Sequence, residues 1–148
     1  MTRFREARRE DVAAIVALLA DDELGRARET GPIAAYLAAF DAMAREAGNR
    51  LVVGEREGRI VASYQISFLT GLSLRATRRA QIESVRVAAD QRGRGIGHAL
   101  MADAEARARA AGCGLMQLTT QKSRTRARRF YESLGFVPSH VGYKRRLD

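Results

Sequence analysis

Glycine occupies every second position at the end of the segment QRGRGIG, Gln91–Gly97. The preceding residues, Gln81–Val87, have a strand-like pattern, and the residues Ile96–Ala111 have an alanine-rich helical pattern. At the start of a helix the backbone N–H groups have no partner within the helix, and the helix dipole makes this end positive. Glycines let an anion approach that backbone and permit dihedral angles closed to other residues. The loop therefore predicts a phosphate site, with Arg92 and Arg94 beside it.

The alternative explanation for the glycines is a turn needed only for tight packing of the strand against the helix. Two common phosphate-binding patterns are excluded. The P-loop pattern GxxxxGK requires a lysine, and this loop contains none. The dinucleotide pattern GxGxxG requires a third glycine, but that position is His98 when counted from Gly93 and Leu100 when counted from Gly95.

The rest of the chain alternates between strand and helix patterns. The predicted order is β α α β β β α β α β, with one or two strands at the end, so we expect an α/β or α+β domain with a mixed sheet over residues 1–148. Asp11 is the predicted N-cap of the first helix, Gly25–Gly31 a predicted polar loop, and Gly135 the predicted C-cap of the last helix. The predicted strands are Thr2–Ala7, Leu51–Glu55, Ile60–Leu69, Gln81–Val87, Leu115–Thr120 and one or two within Phe136–Leu147; the predicted helices begin after Asp11 and at Pro32 and cover Ile96–Ala111 and Thr125–Leu134.

The composition indicates the number of domains and the cellular compartment. A chain of 148 residues with 46% hydrophobic residues is long enough for one domain with its own core. The single cysteine, Cys113, indicates a reducing compartment, so we expect a cytoplasmic location. The charged first residues and the lack of a long apolar run argue against secretion and membrane insertion. Cys113, His98 and His140 lack the spacing of metal ligands, and we expect no metal.

The net charge of +9 raises the question of nucleic-acid binding. All of the 26 basic residues except Lys122 and Lys144 are arginine, and they are spread along the whole chain. Aromatic residues, which nucleic-acid surfaces use for stacking, make up only 6%. The pattern favours a solvated arginine-rich surface that suits an anionic ligand, and a nucleic-acid-binding module stays as an alternative.

Two motifs resemble those of the GNAT superfamily, the acyl-CoA-dependent N-acetyltransferases. The pattern R-x-x-G-x-G, met by Arg92, Gly95 and Gly97, resembles the pyrophosphate-binding loop of the superfamily. RFYESLGF, Arg129–Phe136, resembles its tyrosine-containing segment, and the order of elements agrees over nearly the whole chain. The resemblance implies a mixed, mostly antiparallel sheet of six or seven strands, flanked by about four helices, whose fourth and fifth strands splay apart around the cofactor.

The resemblance also implies how the cosubstrate acetyl-CoA is held. Backbone groups of the fourth strand would pair with the pantetheine arm and polarise the acyl carbonyl, and amides of the loop would hold the pyrophosphate. Many members carry an asparagine seven residues before the tyrosine, whereas this chain has Arg124 there, and we expect Arg124, Arg128 or Lys122 to contact a cofactor phosphate instead. The implied cofactor-binding residues are Val85, Arg86, Val87, Arg92, Gly93, Arg94, Gly95, Ile96, Gly97, His98 and Arg124.

Two side chains are the implied catalytic groups. Glu83, the only carboxylate of the fourth strand, is expected to share a face with Gln81 and Val85 and to act as general base through a water. The alternative for Glu83 is a strand-edge glutamate paired with an arginine. Tyr131 is the implied general acid for the departing thiolate, and the alternative is a core aromatic within the apolar stripe of its helix.

The activity that the resemblance implies is transfer of an acetyl group from acetyl-CoA to a primary amine by direct attack. The acceptor stays open between a small molecule, a peptide N-terminus and a lysine side chain, and its specificity is expected to come from the loops Asp22–Gly31 and Thr70–Ala80. A non-catalytic acyl-CoA sensor and, less favoured, a nucleic-acid-binding module are the alternative functions. The resemblance further suggests a homodimer.

Overall fold

The fold is built on one five-stranded sheet with the strands in chain order. The computed structural model describes residues 1–148 except for the side chain of Glu23. Neighbouring strands pair antiparallel except the last two, which are parallel, so the predicted mixed and mostly antiparallel sheet is confirmed. The strands are β1 Arg3–Glu6, β2 Asn49–Arg56, β3 Arg59–Leu69, β4 Arg79–Val87 and β5 Leu115–Leu118.

The count of five strands is below the predicted six or seven because the last segment forms none. Residues 136–148 have no regular secondary structure. Pro138 lacks the N–H group that a sheet ladder needs, and Gly142 has no side chain to pack, so both weaken the strand pattern of this segment. Its apolar side chains Val137, Val141 and Tyr143 are exposed.

Six helices flank the sheet, and the four predicted ones are present. The two additional helices are short: one overlaps the first part of the predicted polar loop Gly25–Gly31, and the other is a single turn between β3 and β4. The first forms because Asp22 caps it, its carboxylate accepting the Gly25 N–H at 2.5 Å. The helices are α1 Val12–Leu19, α2 Glu23–Arg28, α3 Ile33–Ala44, α4 Ser73–Ala76, α5 Ile96–Ala110 and α6 Thr125–Ser133.

Asp11 precedes α1 as predicted, but its side chain does not cap the helix. The carboxylate instead accepts two hydrogen bonds from the Arg5 guanidinium, at 2.7 and 3.1 Å, and one from the Arg8 N–H at 2.7 Å. The bond with Arg5 holds the pKa of Asp11 below its usual value. Since Arg5 also binds Glu55, this buried ion pair joins β1, β2 and the start of α1.

The core lies mainly between the sheet and α5. Tyr64, Ile66, Ile82 and Leu100 are fully buried there. The Tyr64 hydroxyl donates to the Asp103 carboxylate of α5 at 2.5 Å, so the polar tip of this side chain has a partner. Helices α1 and α3 cover the opposite face of the sheet.

Candidate active site

Strands β4 and β5 separate halfway along β4. Their pairing runs from Arg79 with Leu115 to Ile82 with Leu118 and ends there. β4 continues to Val87 with β3 as its only neighbour in the sheet of described residues. The predicted splaying is therefore confirmed, and the edge of β4 beyond Ile82 keeps backbone groups free for a ligand.

A β-bulge lies at this point of β4. Gln65 stands opposite Glu83 and Ser63 opposite Arg86, so two residues of β4, Ser84 and Val85, face only Tyr64. Ser84 has φ +54°, in the left-handed region. A bulge at a serine leaves no signal in the sequence, so the strand pattern of β4 did not predict it.

The bulge changes which side chains share a face. Directly paired residues point to the same side of a sheet. Glu83 and Arg86 therefore lie on the face of Gln65 and Ser63, while Val85 lies on the opposite face. The prediction that Glu83 and Val85 share a face is wrong, because it assumed strict alternation along β4.

The glycine loop follows β4 and leads into α5, as predicted. Gly93 and Gly95 have φ +75° and +78°, and a Cβ atom on either would meet no atom within 4 Å. Their backbone is thus both left-handed and open to solvent. Gly97 differs, since a Cβ there would lie 3.3 Å from the ring of Phe130 in α6. The ligand explanation fits Gly93 and Gly95, and the packing explanation fits Gly97.

Basic side chains surround the loop. Arg92, Arg94 and His98 are exposed, and the Arg92 Nε donates to the Val87 carbonyl at 3.2 Å. A depression of about 200 Å³ beside Arg94 is also lined by Arg56 and Arg59, among other residues. The predicted surroundings of an anion are therefore present at the start of α5, with arginines from both the loop and the β2–β3 hairpin.

One of these arginines is already paired. Arg59 donates two hydrogen bonds to Asp90, at 2.6 and 2.9 Å. This guanidinium holds the pKa of Asp90 at about 2. The pair ties the hairpin to the short turn that precedes the glycine loop.

Tyr131 lies half-buried on α6, next to Phe130, whose ring lies against Gly97 of the loop. Its ring makes edge-to-face contacts with Phe130 and Phe136, with centroids 5.3 and 6.0 Å apart, and it packs against the core. Burial raises the pKa of Tyr131, and the positive charges of Arg124 and Arg86 oppose this rise. The packing expected of a core aromatic is thus present, and the phenol keeps its proton at neutral pH, as a general acid requires.

The end of α6 fixes the position of Tyr131. Gly135 has φ +90°, and the Leu134 and Phe136 N–H groups donate to the Tyr131 carbonyl at 3.0 and 3.1 Å. Gly135 therefore ends α6 in the left-handed conformation typical of a helix C-terminus, as predicted.

Glu83 is exposed and is the first residue of β4 after the last β4–β5 pair. Within the part of the chain that the structure describes, no arginine lies within ion-pair distance of it. The carboxylate therefore stands free where the two strands open.

Arg86 was predicted among the cofactor-binding residues, and its side chain is occupied elsewhere. It is 13% exposed and lies 3.6 Å from the Asp22 carboxylate. Burial lowers the pKa of Arg86, against the opposing charge of Asp22. Asp21 also accepts the Ala89 N–H at 3.3 Å, so the turn between α1 and α2 is fastened to the end of β4. The Arg86 guanidinium also donates to the Val85 carbonyl at 3.0 Å, and the backbone of Arg86 lies on the free edge of β4.

Sequence reasoning missed a cavity of about 180 Å³ between α1, α3 and the sheet. Most of its lining is apolar, from Ile15 and Leu19 of α1 to Phe40 and Met43 of α3. The sheet side of the cavity carries polar groups. They belong to Ser63, Gln65 and Ser84. Only the fold brings the lining residues together, because they come from five separate elements.

A profile of the acetyltransferase (GNAT) family matches residues 12–136. The matched range includes the whole of β4, the glycine loop and α6. No curated protein matches the sequence. Among the described helices, none combines the length and the apolar character that a membrane crossing requires.

Several solved structures are similar over nearly the whole chain. A transcriptional regulator from Bacillus halodurans C-125 is 41% identical, with a TM-score of 0.95 over 99% of this chain and 100% of that chain. A putative acetyltransferase from Agrobacterium tumefaciens is 27% identical, with a TM-score of 0.84 over 97% and 99%. A predicted acetyltransferase from Clostridium acetobutylicum, solved with acetyl-CoA, is 17% identical with a TM-score of 0.77 over 99% and 97%, a likeness of fold alone.

Proposed function

Because the chain belongs to the acetyltransferase (GNAT) family, we propose that it transfers the acetyl group of acetyl-CoA to a primary amine by direct attack. The observation that carries the proposal is the open glycine loop at the start of α5, next to the point where β4 and β5 separate. The start of α5 and the free edge of β4 together offer backbone N–H groups to an extended, anionic molecule.

The residues of this site fit acetyl-CoA. Left-handed, unobstructed backbone at Gly93 and Gly95 lets a pyrophosphate lie against the amides of residues 92–97, with Arg92 and Arg94 adding positive charge. The backbone of residues 85–87 on the free edge of β4 would pair with the pantetheine arm. Bound acetyl-CoA supplies the acetyl group and a thiol as leaving group.

The protein's own side chains would move the two protons of the reaction. Glu83 stands where the strands open and would accept a proton from the amine nitrogen through a water. Tyr131 holds a proton on Oη and would donate it to the departing sulfur. Backbone N–H groups of β4 beyond Ile82 would stabilise negative charge on the acyl oxygen.

The alternatives differ in what they require. An acyl-CoA sensor needs the loop but neither proton-transfer group. The description of the Bacillus halodurans relative as a transcriptional regulator applies to that protein. For this chain, the glycine loop and the splayed strands support the transferase. Binding of duplex DNA through scattered arginines would require neither of these features.

The proposal also includes a cytoplasmic location and a homodimeric state. The single cysteine, half-buried Cys113, suits a reducing compartment. The exposed apolar side chains of residues 136–148 offer surface that a second copy could cover.

The first experiment is calorimetric titration with acetyl-CoA, ATP, NAD and a DNA duplex. We expect selective binding of acetyl-CoA, followed by release of free thiol when amines are added. Binding without turnover on any amine would favour the sensor. Tight, strongly salt-dependent binding of the duplex in place of acetyl-CoA would favour the nucleic-acid-binding function.

A further inference from the structure

The cavity between α1, α3 and the sheet contains a buried hydroxyl group without a partner. Ser63 is 1% exposed, and its Oγ has no hydrogen-bond partner among the described residues. Leaving a buried polar group unpaired destabilises the folded protein. Ser63 lines the cavity, so a ligand in the cavity can supply the missing hydrogen bond.

The covering helix leaves this space open. α3 is rich in apolar residues, yet none of its residues is buried. Tyr36, Phe40 and Met43 are half-buried and line the cavity instead of packing on the sheet. The apolar face of α3 is therefore directed at the cavity, which is where an apolar ligand would complete its burial.

The cavity adjoins the proposed reaction centre through β4. Ser84, the residue of the bulge, lines the cavity and directly follows Glu83. Gln65 also lines it and stands opposite Glu83 in the sheet. A molecule seated in the cavity can thus extend a group along β4 to the Glu83 carboxylate.

We propose that this cavity holds the body of the acceptor, and that the acceptor is a small primary amine with an aryl or branched alkyl body, on which there is room for one group that hydrogen-bonds to Ser63. The inference rests on the proposed acetyl transfer. A cavity of about 150 Å³ accommodates benzene, so about 180 Å³ is enough for an aromatic ring with a short side chain.

The apolar lining of the cavity disfavours an acceptor with several positive charges. A polyamine would place ammonium groups against Ile15, Leu19 and Phe40, and an unpaired charge in apolar surroundings is strongly disfavoured. Among the described residues that line the cavity, none carries a carboxylate, and Glu29, which accepts a hydrogen bond from the Tyr36 hydroxyl at 2.8 Å, lies outside the lining. One terminal amine suits this arrangement.

The test compares two acceptors and two neighbouring alanines. With saturating acetyl-CoA, we expect kcat/KM for 2-phenylethylamine to exceed that for spermidine by about tenfold or more. Ala39→Phe places a ring in the cavity from α3 and should raise KM for 2-phenylethylamine about tenfold. Ala38→Phe is the matched control, because Ala38 is exposed on the same helix and outside the cavity lining.

A second readout does not depend on turnover. Adding 2-phenylethylamine should shift the amide NMR signals of Ser63 and Ser84 in the wild type and in Ala38→Phe, and not in Ala39→Phe. Acetyl-CoA affinity, measured by calorimetry, should be the same in all three proteins.

The outcomes separate the two proposals. Preference for spermidine, or equal KM changes in the two alanine variants, would overturn the apolar acceptor and leave acetyl transfer standing. Failure of the wild type to bind acetyl-CoA would overturn the proposed function and, with it, this inference.

Discussion

Two neighbouring residues of β3 show how differently the faces of the sheet are used. Tyr64 points to α5, is fully buried, and its hydroxyl donates to Asp103 at 2.5 Å. Ser63 points to α1 and α3, is 1% exposed, and its hydroxyl has no partner among the described residues. On the first face the tyrosine hydroxyl has its hydrogen-bond partner, while on the second the serine hydroxyl lies unpaired beside a cavity. The α5 face carries most of the core, and the α1/α3 face carries the cavity that we propose for the acceptor.

The largest effect on stability should come from the α5 face. Leu100→Ala removes a fully buried side chain and should lower the free energy of unfolding by about 2–5 kcal/mol. Met43→Ala, on the cavity side of α3, removes a half-buried side chain and should cost about 1 kcal/mol. Urea denaturation followed by circular dichroism measures both. Equal losses would mean that the two faces are packed alike.

Tyr131 tests whether a packed residue can also act in chemistry. Tyr131→Phe keeps the ring and should leave stability nearly unchanged, but kcat should fall about 100-fold because the general acid is lost. Burial raises the pKa of Tyr131, so a loss of rate from its ionisation should begin only above its usual value near pH 10. Steady-state kinetics from pH 6 to about 10.5 is the measurement.

The matched control for that variant is Tyr143→Phe, because Tyr143 is 92% exposed. Its kcat and its pH profile should equal those of the wild type. If Tyr131→Phe also kept the full kcat, the phenol would serve packing alone and the acid role would be lost.

The hydroxyl groups of Tyr64 and Ser63 give the most direct comparison of the faces. Tyr64→Phe leaves Asp103 with one hydrogen bond fewer and should cost about 1–3 kcal/mol. Ser63→Ala removes an unpaired buried group and should leave stability unchanged or slightly higher. Thermal unfolding of both variants without ligand decides the point. A clear loss in Ser63→Ala would show that the hydroxyl already has a partner within the fold.

The smallest effect concerns the glycine loop. Gly95→Ala and Gly58→Ala both place a side chain at positive φ with no atom within 4 Å, so each should cost about 1 kcal/mol. Only Gly95→Ala should also weaken binding of acetyl-CoA, because Gly58 lies in the β2–β3 turn. Calorimetry on both proteins compares them. Unchanged affinity in Gly95→Ala would argue that this glycine has no part in cofactor binding.

The sequence was informative where a local pattern decides the structure. The strand and helix on either side of the glycine loop, the hairpin around Gly58 and the end of α6 at Gly135 all follow from residue types that permit few conformations. These elements position the proposed cofactor site, so its outline could be predicted without the fold.

Predictions failed where contacts distant in sequence decide. Asp11 binds Arg5 instead of capping α1. The side-chain faces of β4 depend on a bulge at Ser84, a residue type that permits many conformations. The cavity combines α1, α3, β2, β3 and β4, and no single segment predicts it.

The bulge at Ser84 gives this strand a residue that the sheet does not use. Pairing on both sides of it is kept, since Glu83 still meets Gln65 and Arg86 still meets Ser63. Exchanging or deleting Ser84 would therefore leave the neighbouring pairs in register. A substitution at this position, beside the proposed reaction centre, would therefore change the lining of the cavity while the register of the sheet stays the same.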